Sequence, residues 1–140
     1  MKTISQMISV VQSLVPAVRT STTSGETVVD TAGYNNVCWL VLAGALTTGG
    51  GTPETYVCQV YENDTNSTSG ATAITGAAAS ITAAGQDKKI QVNALGTGVR
   101  KRYQFLRITM AGSSPSIAGG VSALLALKNF GPAEDAAASV

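Results

Sequence analysis

The feature that most narrows the fold of this chain lies between Asp30 and Gly44, where a polar turn runs straight into an apolar strand. Gly33 and Asn35-Asn36 supply the turn, because glycine and asparagine accept backbone conformations that other residues resist. Val37 to Leu46 then reads Val-Cys-Trp-Leu-Val-Leu-Ala-Gly-Ala-Leu, apolar at odd and even positions alike. A strand that is apolar on both faces belongs in the middle of a sheet. It ends at Thr47-Thr-Gly-Gly-Gly-Thr-Pro53, which forbids regular pairing and predicts a loop. A second block of the same design runs from Arg100 to Met110, a basic turn followed by a strand. There Leu106, Ile108 and Met110 alternate with Tyr103, Phe105 and Arg107, which predicts that the first set faces inward.

Around these two blocks the chain reads as β from residue 17 onward. Ala17 to Thr23 predicts an edge strand and Glu26 to Asp30 a short one. Thr55 to Glu62 alternates Tyr56, Cys58 and Val60 with Val57, Gln59 and Tyr61, a long strand expected to lie antiparallel to the one at Val37. Lys88 to Leu95 and Val121 to Asn129 are two more. Ala71 to Ala84 is built of small side chains that bury little area at ~25 cal/mol per Å2, so it predicts only a short strand near Ile74, exposed or ordered by a neighbour. Seven or eight strands with frequent turn signals predict an all-β, antiparallel β-sandwich of jelly-roll-like form.

Ahead of the sandwich, Ile4, Met7, Ile8, Val11, Leu14 and Val15 recur at spacings of three and four. That period predicts a short helix over 3–15, capped by Thr3 and stopped by Pro16. The abundance of Ile and Val keeps a strand or an extended arm open. The expected organisation is therefore a helix or arm over 1–16, a sandwich over 17–132 and a flexible tail over 133–140, beyond Gly131-Pro132. At 140 residues such a chain is one domain long and needs no staple to hold a core.

Composition bears mainly on function. Histidine is absent, which removes the commonest general base and metal ligand and rules out any Ser-His-Asp or Cys-His machine. The close carboxylate pairs Glu62/Asp64 and Glu134/Asp135 lack the apolar flanks that would raise one pKa toward neutrality. The sequence thus predicts no enzyme, no catalytic residue, no cofactor and no metal. Glu62, Asp64 and Asn66 are oxygen donors, but their order lacks the glycine and terminal glutamate of a calcium loop. Charged residues are only 12% of the chain and net charge is +1, so direct nucleic-acid binding is not expected; the one basic cluster is the turn at Arg100, Lys101 and Arg102. The run from Thr3 to Val15 is broken by serines and glutamines, which predicts no secretion signal, and no apolar stretch is long enough for a membrane span. Cys38 and Cys58 sit inside apolar strands without ligand spacing and read as buried free thiols, with a cross-strand disulfide as the alternative. Trp39 reads as core and Tyr34 as packing at its turn. Arg107 is expected to be exposed or paired with Glu62 or Asp30, its removal costing about 1 kcal/mol.

The order of these blocks resembles a family of small β-sandwich or jelly-roll virion proteins of tailed bacteriophages, the capsid decoration, cement and head-fibre-base proteins. The residues that carry the likeness are Val28-Val-Asp30, Gly33-Tyr34, the strand ending at Ala43-Gly44, Tyr56 to Glu62 with Asp64, Lys101-Arg102-Tyr103 leading into Leu106-Arg107-Ile108, and the stretch ending at Asn129-Phe130-Gly131-Pro132. The resemblance covers about 100 residues, from Glu26 to Pro132. It implies a structural protein located in the virion, assembled in the host cytoplasm, whose partners are the major capsid protein or other virion proteins and further copies of itself. A neck, connector or tail-associated subunit, or a surface- or carbohydrate-binding module, is the alternative. Partner contact is expected at the apolar stripe Ile4, Met7, Ile8 and Val11 and at the basic turn Arg100, Lys101 and Arg102.

Overall fold

A computed structural model describes residues 7–25, 27–47, 53–95 and 99–127. They form nine antiparallel strands: β1 (Ile8–Arg19), β2 (Thr23–Ser24), β3 (Val29–Asp30), β4 (Tyr34–Leu46), β5 (Thr55–Asn63), β6 (Thr72–Ile81), β7 (Asp87–Asn93), β8 (Tyr103–Ala111) and β9 (Ile117–Leu127). One sheet has the order β1-β9-β4-β7, the other β2-β8-β5-β6, with β3 also on β8. Because β2 and β3 share one edge position, the strands fill eight places. First pairs with last, β2 and β3 with β8, β4 with β7, and β5 with β6. This nesting, a long hairpin rolled into two sheets, is the jelly roll.

The layers follow from the alternation in each strand. Val37, Trp39, Val41 and Ala43 of β4 face Tyr56, Cys58 and Val60 of β5 across the core, joined by Ile90 and Val92, Ile108 and Met110, and Val121, Ala123 and Leu125. All are buried. At ~25 cal/mol per Å2, each such side chain contributes roughly 1.5–3 kcal/mol of transfer free energy. Gly33 sits at φ +85° in the turn before β4, where the Asp30 carboxylate accepts from the Ala32 amide at 3.0 Å and Tyr34 N–H bonds Thr31 O at 3.2 Å. A side chain at that φ would be strained, which is why the turn carries glycine.

Three expectations are corrected. From Ile8 onward the helix expected over 3–15 is not formed: Ile8–Arg19 is an edge strand paired with β9, and residues 1–6 lie outside the described region. The boundary expected at residue 16 therefore falls inside β1. Pro16 stands at a register shift between Leu14 and Ala17, and the Arg19 guanidinium donates to Val15 O at 2.8 Å and Gly119 O at 2.9 Å, satisfying carbonyls that the shift withdraws from the ladder. Second, β5 does not pair with β4 but lies in the other sheet, between β8 and β6. Third, the small-residue stretch is a full ten-residue strand, β6. It takes a bulge at Gly76 (φ +80°), and the Gln59 side-chain amide plugs it, donating to Ile74 O at 2.8 Å and Ala77 O at 3.0 Å. The tail over 133–140 lies outside the described residues.

Candidate interaction surface

The outer face of the β1-β9-β4-β7 sheet follows from register. Directly opposed residues share a face, so Val10, Leu124, Cys38 and Gln91 form one row, and Ser122, Leu40 and Lys89 lie in the next with Gln12. Leu42 follows beside Gly120 and Asp87, and Ile8 and Ala126 lead with Asn36. None of these faces the core. Val10 is 63% exposed, Leu42 53% and Ile8 37%, while Leu40, Leu124 and Cys38 are half-buried by their neighbours. Val15 and Val18 are exposed on the same edge strand. The second apolar face that the sequence gives β4 is thus turned to solvent. A shallow groove of about 240 Å3 runs between Ile8, Cys38, Leu124 and Gln91. The ionic groups that the register places on this face are Asp87 and Lys89, both on β7 and of opposite sign.

The basic turn is occupied within the chain. Arg102 holds Asp30 with both arms, Nε to Oδ1 at 2.9 Å and Nη2 to Oδ2 at 2.7 Å, and its guanidinium lies 5.2 Å from the Tyr103 ring centre. The hydrogen bond from Arg102 holds the Asp30 carboxyl below its ordinary range. Lys101 Nζ meets Asp64 at 2.8 Å, which raises the lysine's pKa, and Arg100 lies 3.6 Å from Glu62, whose other oxygen accepts the Lys101 amide at 3.0 Å. Both carboxylates of the calcium-like turn are therefore engaged by cations. Asn63 organises that turn, donating to Ser67 O and Ser69 O and accepting from the Asp64 amide. Among the described residues no group of three His, Cys, Asp or Glu converges as a metal site.

The outer face of the other sheet is self-satisfied. Tyr61 and Phe105 stack at 5.5 Å, the Arg107 guanidinium lies 4.5 Å over Tyr61, and Arg107 Nε donates to Ser24 Oγ at 2.9 Å. Phe105 is fully buried although it points away from the core. Arg107 is thus held by an aromatic ring and a hydroxyl rather than by Glu62 or Asp30.

Of the residues singled out from sequence, Ile8 lies on the apolar outer face, Met7 is half-buried and Val11 packs inward against the core. Ile4 lies outside the described residues. Arg100, Lys101 and Arg102 sit together at the end of the sandwich where β8 begins. Sequence reasoning missed Val10, Leu40, Leu42 and Leu124, although the double-sided apolar pattern of β4 was the signal that could have found them. Both cysteines are free, on different sheets. Cys58 is buried, with its thiol pushed up to about 12 by desolvation, whereas Cys38 is half-buried on the outer face. Two further grooves, of about 280 and 260 Å3, each carry one ionic side chain, Glu54 and Arg100 respectively. Neither brings together an acid and a base. Among the described residues no helix is long and apolar enough to cross a membrane.

No protein-family model matches the chain, and no curated protein matches its sequence. Solved structures similar to it include the following two. One is from Bacillus endospore appendages, described as a novel family of disulfide-linked pili, at 13% identity and a TM-score of 0.47 over 91% of this chain and 97% of that one. The other is a chain of infectious bursal disease virus, Gx strain, at 12% identity and a TM-score of 0.49, over 89% of this chain and 34% of that one. The jelly-roll assignment itself rests on the strand order.

Proposed function

We propose that this chain is a structural subunit of a particle, a virion protein of a tailed bacteriophage that binds the capsid surface and decorates or stabilises the head. One observation carries the reading: a closely packed jelly roll turns a nearly neutral, apolar sheet face to solvent. Exposing a face of that kind to water raises the free energy and covering it with protein lowers it, and its low charge keeps the desolvation cost small. The subunit acts by binding rather than by catalysis. A protein that binds only the assembled shell stabilises it by mass action, and many symmetric copies turn weak contacts into firm attachment. The resemblance of the sequence to decoration and cement proteins supports the phage assignment.

A protein inventory of purified virions with stoichiometry, joined to particle imaging, tests the proposal. Hundreds of copies with density repeated over the shell support it. Density confined to one vertex moves the protein to the neck or tail, and absence from the particle refutes the reading.

A further inference from the structure

We infer that the outer face of the β1-β9-β4-β7 sheet is the contact between two copies of this chain, packed face to face about a two-fold axis that crosses the strands at Leu40. The inference rests on the reading of the protein as an assembly subunit and takes a second copy, rather than the shell, to be the protein that covers this face.

Size is the first argument. The four strands are 12, 11, 13 and 7 residues long, and at ~16 Å2 per residue of sheet plane they present about 700 Å2 in projection. One side of a standard stable interface buries ~800 Å2. The sheet face alone therefore approaches what a dimer needs.

Self-complementarity is the second. In a two-fold contact the same patch serves both partners, so each protrusion needs a recess on its own surface, at the position related to it by a half-turn about the axis. Leu42 is the protruding apolar side chain of β4, and the groove beside Cys38 lies on the other side of Leu40 by the same two residues. A two-fold axis through Leu40 brings each Leu42 over the partner's groove and sets the two Leu40 side chains against each other. Two sheets so packed lie ~10 Å apart, the depth that interdigitating leucines fill.

Charge is the third. Asp87 lies beside Leu42 and Lys89 beside Leu40 on the same strand. The axis that crosses the strands lays β7 along its own copy, so Lys89 comes over the partner's Lys89, with an Asp87 of each copy one row away to offset the like charges at this edge of the face. The face carries no net charge from this pair and offers nothing to an anionic partner such as nucleic acid.

Light scattering after gel filtration, run from about 1 to about 200 µM, tests the contact on the full chain. The wild type should dimerise within that range. Leu42→Glu should weaken the dimer at least ~100-fold, because each copy then buries a carboxylate in an apolar groove. Leu42 is exposed in the single chain, so the melting curve should hold; Val10→Glu, at a position more exposed still, repeats the test independently. Thr109→Glu, on the exposed face of the other sheet, should leave the dimer intact. Maleimide labelling of Cys38 should slow as dimer forms. A wild type that stays monomeric with Cys38 equally reactive throughout overturns the inference while leaving the particle inventory to judge the virion role. A dimer that survives both glutamates, or that Thr109→Glu disrupts equally, also overturns it.

Discussion

Trp39 offers a prediction whose outcome depends on two opposing terms. Its ring is fully buried between the sheets, yet its indole Nε1 has no hydrogen-bond partner. An unsatisfied buried donor costs about 1–3 kcal/mol relative to one left in water. Trp39→Phe removes that donor and leaves a void of roughly 40 Å3, worth about 1 kcal/mol at 24 cal/mol per Å3, with some further loss of transfer free energy. The two nearly cancel, so Trp39→Phe should change stability by no more than about 1 kcal/mol. Trp39→Ala keeps the first gain but empties the whole site, and should cost roughly 3–5 kcal/mol. Urea unfolding followed by circular dichroism measures both, with the slope checked for constancy so that the midpoints can be compared. A loss above about 3 kcal/mol for Trp39→Phe would refute the reasoning, since the indole N–H would then have to be making a bond worth keeping.

Other predictions follow from the same contacts. Gln59→Ala strips the plug from the β6 bulge and leaves the Ile74 and Ala77 carbonyls without that donor, so the denaturation midpoint should fall by the equivalent of about 1–3 kcal/mol. Arg107→Ala should lose about 1 kcal/mol, and Arg107→Lys should recover little of it, because an ammonium cannot both lie flat on Tyr61 and bond Ser24; thermal melts of the pair decide. Asp30 has a folded pKa below its ordinary 3.8, so as pH falls the unfolded chain takes up the proton first. The stability that its pairing supplies is complete above that value and drains away below it, and Asp30→Asn should flatten the acid limb of a stability–pH curve. In the dilute native protein a maleimide should label Cys38 well before Cys58, whose thiol is buried and pushed up to about 12; equal labelling rates would contradict that burial.

How legible this fold was depends on the strand. In β5, β7 and β8 the alternation was intact and the two sets of side chains were readable residue by residue, whereas in β4, apolar at odd and even positions alike, no alternation marked the inward face. β1 was misread as a helix for a physical reason. Its outward side chains Ile8 and Val10 are apolar because they belong to the exposed face, and the register shift after Gln12 moves the inward position onto Leu14. Apolar residues on both faces plus a slip in phase imitate a spacing of three and four. β6 hides in the same way, since the bulge at Gly76 sets Ile74, Ala77 and Ile81 three and four apart while all three point inward. The ion pairs were out of reach for another reason. Asp30 meets Arg102 because β3 lies on β8, a pairing across about half of the chain that no local pattern encodes. As for the interaction surface, β4 announced that both its faces were apolar. Only the sheet order reveals that, among the described residues, no layer lies above its second face.

Hydroxyl-radical footprinting of the protein on assembled particles, set against the dilute single chain, tests the central claim most directly. The account predicts protection concentrated at Val10, Leu42 and Leu124 on the β1-β9-β4-β7 sheet, with Tyr61 on the opposite sheet changed far less. Labelling of those three side chains that is the same in both states would contradict it.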